Sequence, residues 1–327
     1  MLAWSKGMEG NTVVGVDIGG TKVAAGLVNE AGEIVYQTRT PMDGHRDAAA
    51  GLAAVETAIR SVIKQDGSVR EIGICSPGPL DPEKGIVINP PNLPCWRNFP
   101  LAENIRKLFA LPVRIDNDAN AAGLAEARWG AGRGYRNVFY AGIGTGIGTG
   151  IVFNGAIYHG RTGAAAEGGH IGIDIHGPVC GCGKRGCIEI LASGPAIARR
   201  AREALAAGAR SRLREMVEGD VSQINSSHVA EAAASGDAIA SDIMRETLDA
   251  LAYWLGNIID LLEPDVIVIG GGVSRILAPH LPEIRQRWNG AVVNPWLDQT
   301  PMVPARYGED SGIAGAAALC GSVKEQT

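Results

Sequence analysis

Blocks of like charge are missing from this chain of 327 residues. Its 30 lysines and arginines are interspersed with 35 aspartates and glutamates, for a formal net charge of -5. A chain with no basic face is not built to hold nucleic acid as its main activity. No uncharged stretch reaches the length of a bilayer span, and Met1 to Asn11 lacks the apolar core of a signal peptide. A cytoplasmic protein with no membrane partner is therefore expected, in a compartment that keeps thiols reduced. No low-complexity linker is present, so a domain boundary would be a compact hinge rather than a tether. Also absent are a Walker A run and any Gly-x-Gly-x-x-Gly register through the glycine alternation from Gly142 to Gly150. Glycine itself is abundant at 45 residues, and a hydrophobic content of 46% is enough to bury a core in each of two domains.

Paired cysteine spacing is lacking at Cys75, Cys95 and Cys320, which argues against a disulfide framework. Cys180, Cys182 and Cys187 are different. They form Cys-x-Cys-x4-Cys, with His170 just upstream and Glu167 and Glu189 on either side. One nitrogen and three sulfurs make the ligand set of a closed, tetrahedral structural zinc site. A disulfide among the three would leave an odd thiol, and there is no Cys-x-x-Cys for redox chemistry. A reactive thiol cluster and an incidental Gly/Cys-rich turn are the competing readings. Gly181, Gly183 and Gly186 let the backbone turn tightly enough for close ligands to converge.

Apolar periodicity and glycine punctuation outline the elements. Thr12 to Asp17 reads as a buried strand, Gly19-Gly20 as a tight turn, and Lys22 to Asn29 and Glu33 to Arg39 as two more strands of a meander. The plan returns at Asn137 to Gly142, with a glycine-threonine turn through Gly150, a strand from Gly150 to Phe153, the Asn154-Gly155 hairpin signal and a strand from Ala156 to His159. The recurrence implies two similar domains, unless glycine-rich hairpins simply repeat by chance. Leu52, Val55, Ile59, Val62 and Ile63 keep helical spacing, and Glu71 to Cys75 and Val113 to Ile115 read as strands. Asp116-Asn117-Asp118 supplies cap candidates for a small-residue helix from Ala119 to Trp129. A long helix from Asp237 to Leu262 stops before Pro264, an apolar strand from Val266 to Ile269 follows, and a last helix covers Ser311 to Leu319. Strands alternating with helices give α/β domains on mixed sheets.

Three glycine turns offer backbone amides to an anion. Asp17-Ile18-Gly19-Gly20-Thr21-Lys22 combines a carboxylate at a strand end, two glycines, a hydroxyl and a cation; it reads as a phosphate clamp and equally as an ordinary hairpin. The alternation from Gly142 to Gly150 exposes many amides and has little packing value. Gly270 to Gly272 follows an apolar strand, a setting in which a nucleotide's base or ribose can lie against the backbone. Three turns and one nucleotide is the economical interpretation.

D-I-G-G-T-K, S-P-G-P-L-D, P-P-N-L-P-C-W, D-N-D-A-N-A-A, G-I-G-T-G-I-G-T-G, E-G-G-H, C-G-C-G-K-R-G-C and V-I-G-G-G-V follow one another between Val14 and Ala318. In these motifs and their order the chain resembles the ROK family, named for repressors, open reading frames and kinases, and within it the glucokinase-like sugar kinases. The resemblance implies an α/β, two-domain, actin-like (RNase H-like) sugar kinase fold with the active site in a cleft between the domains. Residues 1–117 with 305–327 would form the small domain, and 118–304 the large domain with the zinc loop. The implied activity is ATP-dependent phosphorylation of glucose at its 6-hydroxyl, with Asp118 as general base. Without the motif order, an Asp ahead of an alanine-rich helix is more often a cap. Sugar hydroxyls would be held by Gly78, Asn117, Asp118, Glu167, His170 and Glu189. ATP would lie on Gly19, Gly20, Thr21, Lys22, Gly144, Thr145, Gly146, Gly271 and Gly272, with Asp17 orienting Mg²⁺ directly or through water; family members vary at the position of Lys22. His170, Cys180, Cys182 and Cys187 would bind a structural Zn²⁺ that does no chemistry, His170 turning its other ring nitrogen to the sugar.

The same motifs leave other readings. Pro91-Asn92-Leu93-Pro94 with Trp96 favours glucose, but kinases of N-acetylmannosamine, N-acetylglucosamine, fructose and mannose share most of these residues. A sugar-responsive repressor would need a helix-turn-helix unit, for which the residues ahead of Thr12 are too few. A non-catalytic sugar binder would need neither the base nor the phosphate turns. A homo-oligomer, dimer or tetramer, is expected, as is closure of the domains on sugar about a hinge near Asp118.

Overall fold

The computed structural model describes residues 12–288, 292–296 and 299–321. The expectations about a leader and a DNA-binding module fall on the first eleven positions and lie outside them. β1 (Val13–Ile18), β2 (Lys22–Val28) and β3 (Ile34–Pro41) form an antiparallel meander. Its second turn is locked by Asn29, whose Oδ1 accepts the amides of Ala31 at 3.0 Å and Glu33 at 2.9 Å, while Gly32 takes φ 76°. β4 (Ile72–Ser76) and, past the small ribbon of β5 (Leu80–Asp81) and β6 (Ile86–Val87), β7 (Val113–Asn117) then add parallel strands. The resulting order is β3-β2-β1-β4-β7.

A second sheet repeats it. β8 (Asn137–Ile143), β9 (Ile147–Phe153) and β10 (Ala156–Ile157) are followed by β11 (Val266–Gly270) and β12 (Met302–Pro304), in the order β10-β9-β8-β11-β12, with β11 parallel to both β8 and β12. The turn after β8 is shorter than the glycine pattern suggested. Only Gly144 to Gly146 lies between the strands, and β9 has already begun at Ile147. Gly148 and Gly150 are strand residues. Sheet pairing outweighs their weak propensity.

Helices cover the sheets. α1 (Ala48–Ile63) starts at the cap Asp47, whose Oδ1 accepts the Ala50 amide at 2.8 Å, and buries Val55, Ala58, Ile59 and Val62 in one core with Val14, Val16, Ile72 and Ile74. α2 (Leu101–Phe109) and α3 (Asp118–Arg128) follow. Next come α4 (Ile188–Ala192), α5 (Gly194–Ala206), α6 (Leu213–Met216), α7 (Ser226–Ala234), α8 (Ala238–Leu262), α9 (Ser274–Leu277) and α10 (Leu281–Gln286). α8 buries Ile243, Leu248, Leu251, Leu255 and Ile258 along one stripe, and its Trp254 meets Phe139 of β8 edge to face at 5.9 Å. No helix among the described residues is long and apolar enough to cross a membrane.

α11 (Ser311–Leu319) returns to the first sheet. Its backbone fits against α3 because both helices are built of alanine and glycine: a Cβ at Gly315 would sit 2.7 Å from the carbonyl carbon of Ala121. Two compact units result. One comprises the chain up to Gly134, Val152–Ala165 and the chain from Glu309; the other comprises Tyr135–Ile151 and Ala166–Gly308. Through its packing on α11, the helix that starts at Asp118 lies in the first unit.

Candidate active site

Three acidic side chains gather at the carboxyl ends of the first unit's parallel strands. Across the sheet Asp17 of β1 pairs with Cys75 of β4, and Cys75 with Asp116 of β7. The Cys75 thiol lies 3.5 Å from Asp17 Oδ1 and 3.3 Å from the Gly312 carbonyl, to either of which it can donate. Burial raises the pKa of Asp17, opposed by the hydrogen bond from Cys75 and the charge of Lys22. Burial likewise lifts Cys75 well above the ordinary thiol range, and negative Asp17 lifts it further. Glycine at 312 is required here, because a Cβ would lie 2.5 Å from Asp17 Oδ2.

The first glycine turn lies beside Asp17. The Gly19 amide donates to the Lys22 carbonyl at 2.9 Å, and the carbonyls of Gly20 and Thr21 accept the amides of Gly44 and Met42, each at 2.9 Å. A Cβ on Gly20 would come within 2.5 Å of the Asn92 carbonyl, so the P-P-N-L-P-C-W segment rests directly on this turn. Trp96 anchors that segment, fully buried and stacked on Phe99 with 5.0 Å between ring centroids. Thr21 and Lys22 are exposed.

Asn117 and Asp118 occupy the junction of β7 and α3. Asn117 caps the helix, its Oδ1 accepting the amides of Ala119 at 2.9 Å and Asn120 at 3.3 Å. Gly78 is its neighbour, with room for a Cβ 3.5 Å from Asn117 Nδ2. Asp118 Oδ1 accepts the Ala119 amide at 2.8 Å. Solvent reaches the Asp118 side chain, yet the protein crowded around it strips away enough water to raise its pKa to about 6; repulsion from Asp17 adds to the effect, and the Ala119 amide opposes it. A carboxyl with that pKa is ionised at neutral pH and still basic enough to accept a proton. Behind it lies a pair that sequence reasoning missed: His159 Nε2 is 2.6 Å from Asp116 Oδ2. The hydrogen bond to Asp116 raises the His159 pKa against the opposing effect of its burial. Those two residues are 43 positions apart, and no local pattern links them.

In the second unit the other glycine turns meet. Gly144 donates to the Gly146 carbonyl at 2.8 Å, and the carbonyls of Ile143 and Gly144 accept the amides of Val273 and Gly194, each at 2.9 Å. Gly271 takes φ 83°, and Gly272 N would lie 3.6 Å from a Cβ on Gly144. Thr145 at the tip is exposed. Glu189, on the first turn of α4, docks on the same loop: its Oε2 accepts the Ile147 amide at 2.9 Å and would be 2.6 Å from a Cβ on Gly146. Glu167 leads into the short turn Gly168–His170 and accepts the His170 amide at 3.0 Å through its carbonyl. Thr149, a further residue that sequence reasoning missed, fixes this segment by donating to the Ala166 carbonyl at 2.5 Å and accepting the Gly168 amide at 3.0 Å.

The four metal-ligand candidates converge. Their donor atoms all lie within 4.8 Å of one another, with Cys182 Sγ to Cys187 Sγ at 3.6 Å and Cys180 Sγ to His170 Nδ1 at 3.7 Å. A tetrahedral zinc ion with Zn–S near 2.3 Å needs sulfurs about 3.8 Å apart, so the cluster has the right size for Zn²⁺. Gly183 at φ 89° and Gly186 at φ 59° make the turns, and the Cys180 amide closes the loop on the Lys184 carbonyl at 2.7 Å. His170 points Nδ1 at the sulfurs and lies 3.9 Å by that atom from Glu189 Oε1. The metal set is thus built onto the segments that carry Glu167 and Glu189.

The first unit therefore brings together Asp17, Gly19, Gly20, Thr21, Lys22, Gly78, Asn117 and Asp118, and the second unit Gly144, Thr145, Gly146, Gly271, Gly272, Glu167, His170 and Glu189. Glucokinase from Thermotoga maritima is 36% identical over 94% of this chain and 96% of its own length. N-acetylmannosamine kinase from Yersinia pestis is 33% identical over 92% of this chain and 96% of its own. A ROK family glucokinase from Streptomyces griseus, solved in complex with glucose and AMPPNP, superposes with a TM-score of 0.80 at 35% identity, covering 94% of this chain and 99% of that one. The twice-used sheet is that of the two-domain actin-like sugar kinases. The ROK family model matches residues 13–323, and the chain belongs to that family.

Proposed function

We propose that this ATP-dependent hexose kinase transfers the γ-phosphoryl group to the 6-hydroxyl of glucose, with Asp118 as the general base. The observation that carries the reading is Asp118 itself, a solvent-reached carboxyl at the start of α3 whose pKa is raised to about 6. It takes the hydroxyl proton as the sugar oxygen bonds to the γ-phosphorus, and the bond from phosphorus to the β,γ-bridging oxygen breaks to release ADP. Asn117, Gly78, Glu167, His170 and Glu189 hold the other sugar hydroxyls, where a paired set of donors and acceptors rejects sugars that lack one. The glycine turns at Gly19 to Lys22, Gly144 to Gly146 and Gly271-Gly272 take the nucleotide through backbone amides and the hydroxyls of Thr21 and Thr145. Asp17 is an oxygen donor suited to Mg²⁺ that keeps much of its own water, and the bound ion would offset phosphate charge. The cluster of His170, Cys180, Cys182 and Cys187 holds zinc as a support for Glu189 and the His170 ring.

Glucose is favoured because relatives named as glucokinases are more similar to the chain than those named as N-acetylmannosamine kinases, and because the P-P-N-L-P-C-W segment packs on the first phosphate turn. A panel of glucose, mannose, fructose, N-acetylglucosamine and N-acetylmannosamine assayed with ATP and Mg²⁺ tests this. The expected result is the highest kcat/KM with glucose. Efficient turnover of an N-acetylated sugar with none of glucose would overturn the choice.

A further inference from the structure

Asp116 is a carboxylate removed from water: its side chain is 5% exposed. An isolated charge there would be costly, so its hydrogen bonds determine what it does. Oδ1 accepts the Asn117 amide at 2.7 Å and Asn120 Nδ2 at 3.1 Å. Both donors belong to the turn that presents Asn117 and Asp118. Oδ2 is met by His159 Nε2 at 2.6 Å, the shortest of these contacts. Asn120 is itself buried, and its Oδ1 has no hydrogen-bond partner among the described residues, so the Asp116 contact is what orients that amide.

A chain of contacts follows. His159, delivered by the segment after β10, fixes one oxygen of Asp116. The other oxygen fixes the backbone at Asn117 and the side chain of Asn120, on either side of Asp118. Asn117 then caps α3 through the same amides, Ala119 and Asn120, that set the first helical turn. Neither Asp116 nor His159 is among the residues assigned above to sugar, nucleotide or metal.

We propose that His159 is a positioning residue for phosphoryl transfer, acting through Asp116 to hold the Asn117-Asp118 turn in its productive geometry. The proposal rests on the reading of Asp118 as the base. With His159 removed, Asp116 loses its partner on Oδ2 among the described residues, and the carboxyl group turns to find another donor. The amides bonded to Oδ1 move with it. Displacements near 1 Å at a reacting group cost on the order of 10²-fold in rate.

The test compares four forms of the full-length chain: wild type, His159→Gln, His159→Ala and Asp118→Asn. Each is assayed for kcat and for KM of sugar and ATP, with a thermal melt to confirm folding. Gln carries a donor close to the place of Nε2, whereas Ala carries none. His159→Ala should lower kcat by roughly 10–100-fold while KM for ATP stays within about twofold, and His159→Gln should recover most of the loss. A purely structural role would lower the melting temperature of His159→Ala without separating kcat from KM for ATP. That outcome, or a folded His159→Ala with wild-type kcat while Asp118→Asn is inactive, overturns the proposal and leaves the base assignment standing. If His159→Ala does not fold, the folded Gln variant decides: near wild-type kcat upholds the proposal and a 10-fold or greater loss rejects it. Full activity in Asp118→Asn would instead reject the base assignment on which the proposal depends.

Discussion

The two five-stranded sheets share one strand order and carry different chemistry at equivalent points. In the first, the rung at the mouth of the parallel strands joins Asp17 to Cys75; in the second, the matching rung joins Gly142 to Gly270. Over those glycines lies the ring of Tyr140, whose Cε1 would be 3.1 Å from a Cβ on Gly142. Where one unit places a carboxylate and a thiol, the other places an aromatic ring in space that two missing side chains leave. The repeat therefore supplies a common frame, and the side chains at one rung decide whether it serves chemistry or packing. The second unit has its acids elsewhere, at Glu167 and Glu189, on segments beside the His170–Cys187 cluster that dock on β9 through Ile147 and Thr149.

The sharpest way to break this contrast is to neutralise Asp118, the base proposed for the first unit. Asp118→Asn should lower kcat by roughly 10²–10⁴ while sugar affinity changes little, measured by steady-state kinetics and calorimetric titration of glucose. The second unit is tested through the metal proposed for its Cys/His cluster. Purified protein should contain one zinc per chain by elemental analysis; Cys182→Ala should lose it, lower the melting temperature and cost on the order of 10²-fold in turnover by loosening Glu189 and His170. Zinc-free wild type with full activity would remove the metal from the account. Acidification tests the carboxylate of the first unit. As the proposed base Asp118 acts in its ionised form, and its pKa is raised to about 6, so kcat/KM should fall about tenfold per pH unit below that value. The stability effect has the opposite sign. The folded chain holds this proton more tightly than the unfolded one, so Asp118 lowers stability as pH rises from the ordinary carboxyl range through its folded pKa, and Asp118→Asn should not lower the melting temperature at neutral pH. The smallest effect is expected on the packing side. Gly270→Ala would bring a Cβ to 2.8 Å from Tyr140 Cε2 and should destabilise the fold by about 1–3 kcal/mol in denaturant titration.

Much of this frame is legible in the sequence because glycine and proline punctuate it. Gly19-Gly20, Gly32 and Asn154-Gly155 mark turns that the backbone makes, and Pro264 ends α8 as its ring requires. The Cys-x-Cys-x4-Cys spacing likewise identifies a cluster whose ligands are close in sequence. What stayed hidden depends on contacts between distant segments. Gly148 and Gly150 read as loop because glycine is a poor strand former, yet β9 includes both, and the Gly168-Gly169 backbone approaches that strand closely enough that a Cβ on Gly168 would be 2.6 Å from Thr149 Oγ1. α5 opens with Ser193-Gly194-Pro195, a clear start signal, and its buried stripe of Ile197, Ala201 and Leu205 went unread among the alanines and arginines around it. His159 is the clearest case. A single histidine after a hairpin carries no signal by itself, and only the folded chain sets it against a buried aspartate.

The close fit of α11 against the first sheet has a consequence for how the protein is made. Asp17 is synthesised 295 residues (312 − 17) ahead of Gly312, which leaves room for its carboxylate. At ribosomal rates of about 5–20 residues per second, Asp17 waits roughly 15–60 s for that helix. Until then the backbone at Gly15 and Gly73, which Ile313 and Ala316 later cover, has no partner from α11. The nascent chain thus carries Asp17 and the Gly19-Gly20 turn long before α11 is there to hold them, and α11 completes a packing arrangement begun by β1.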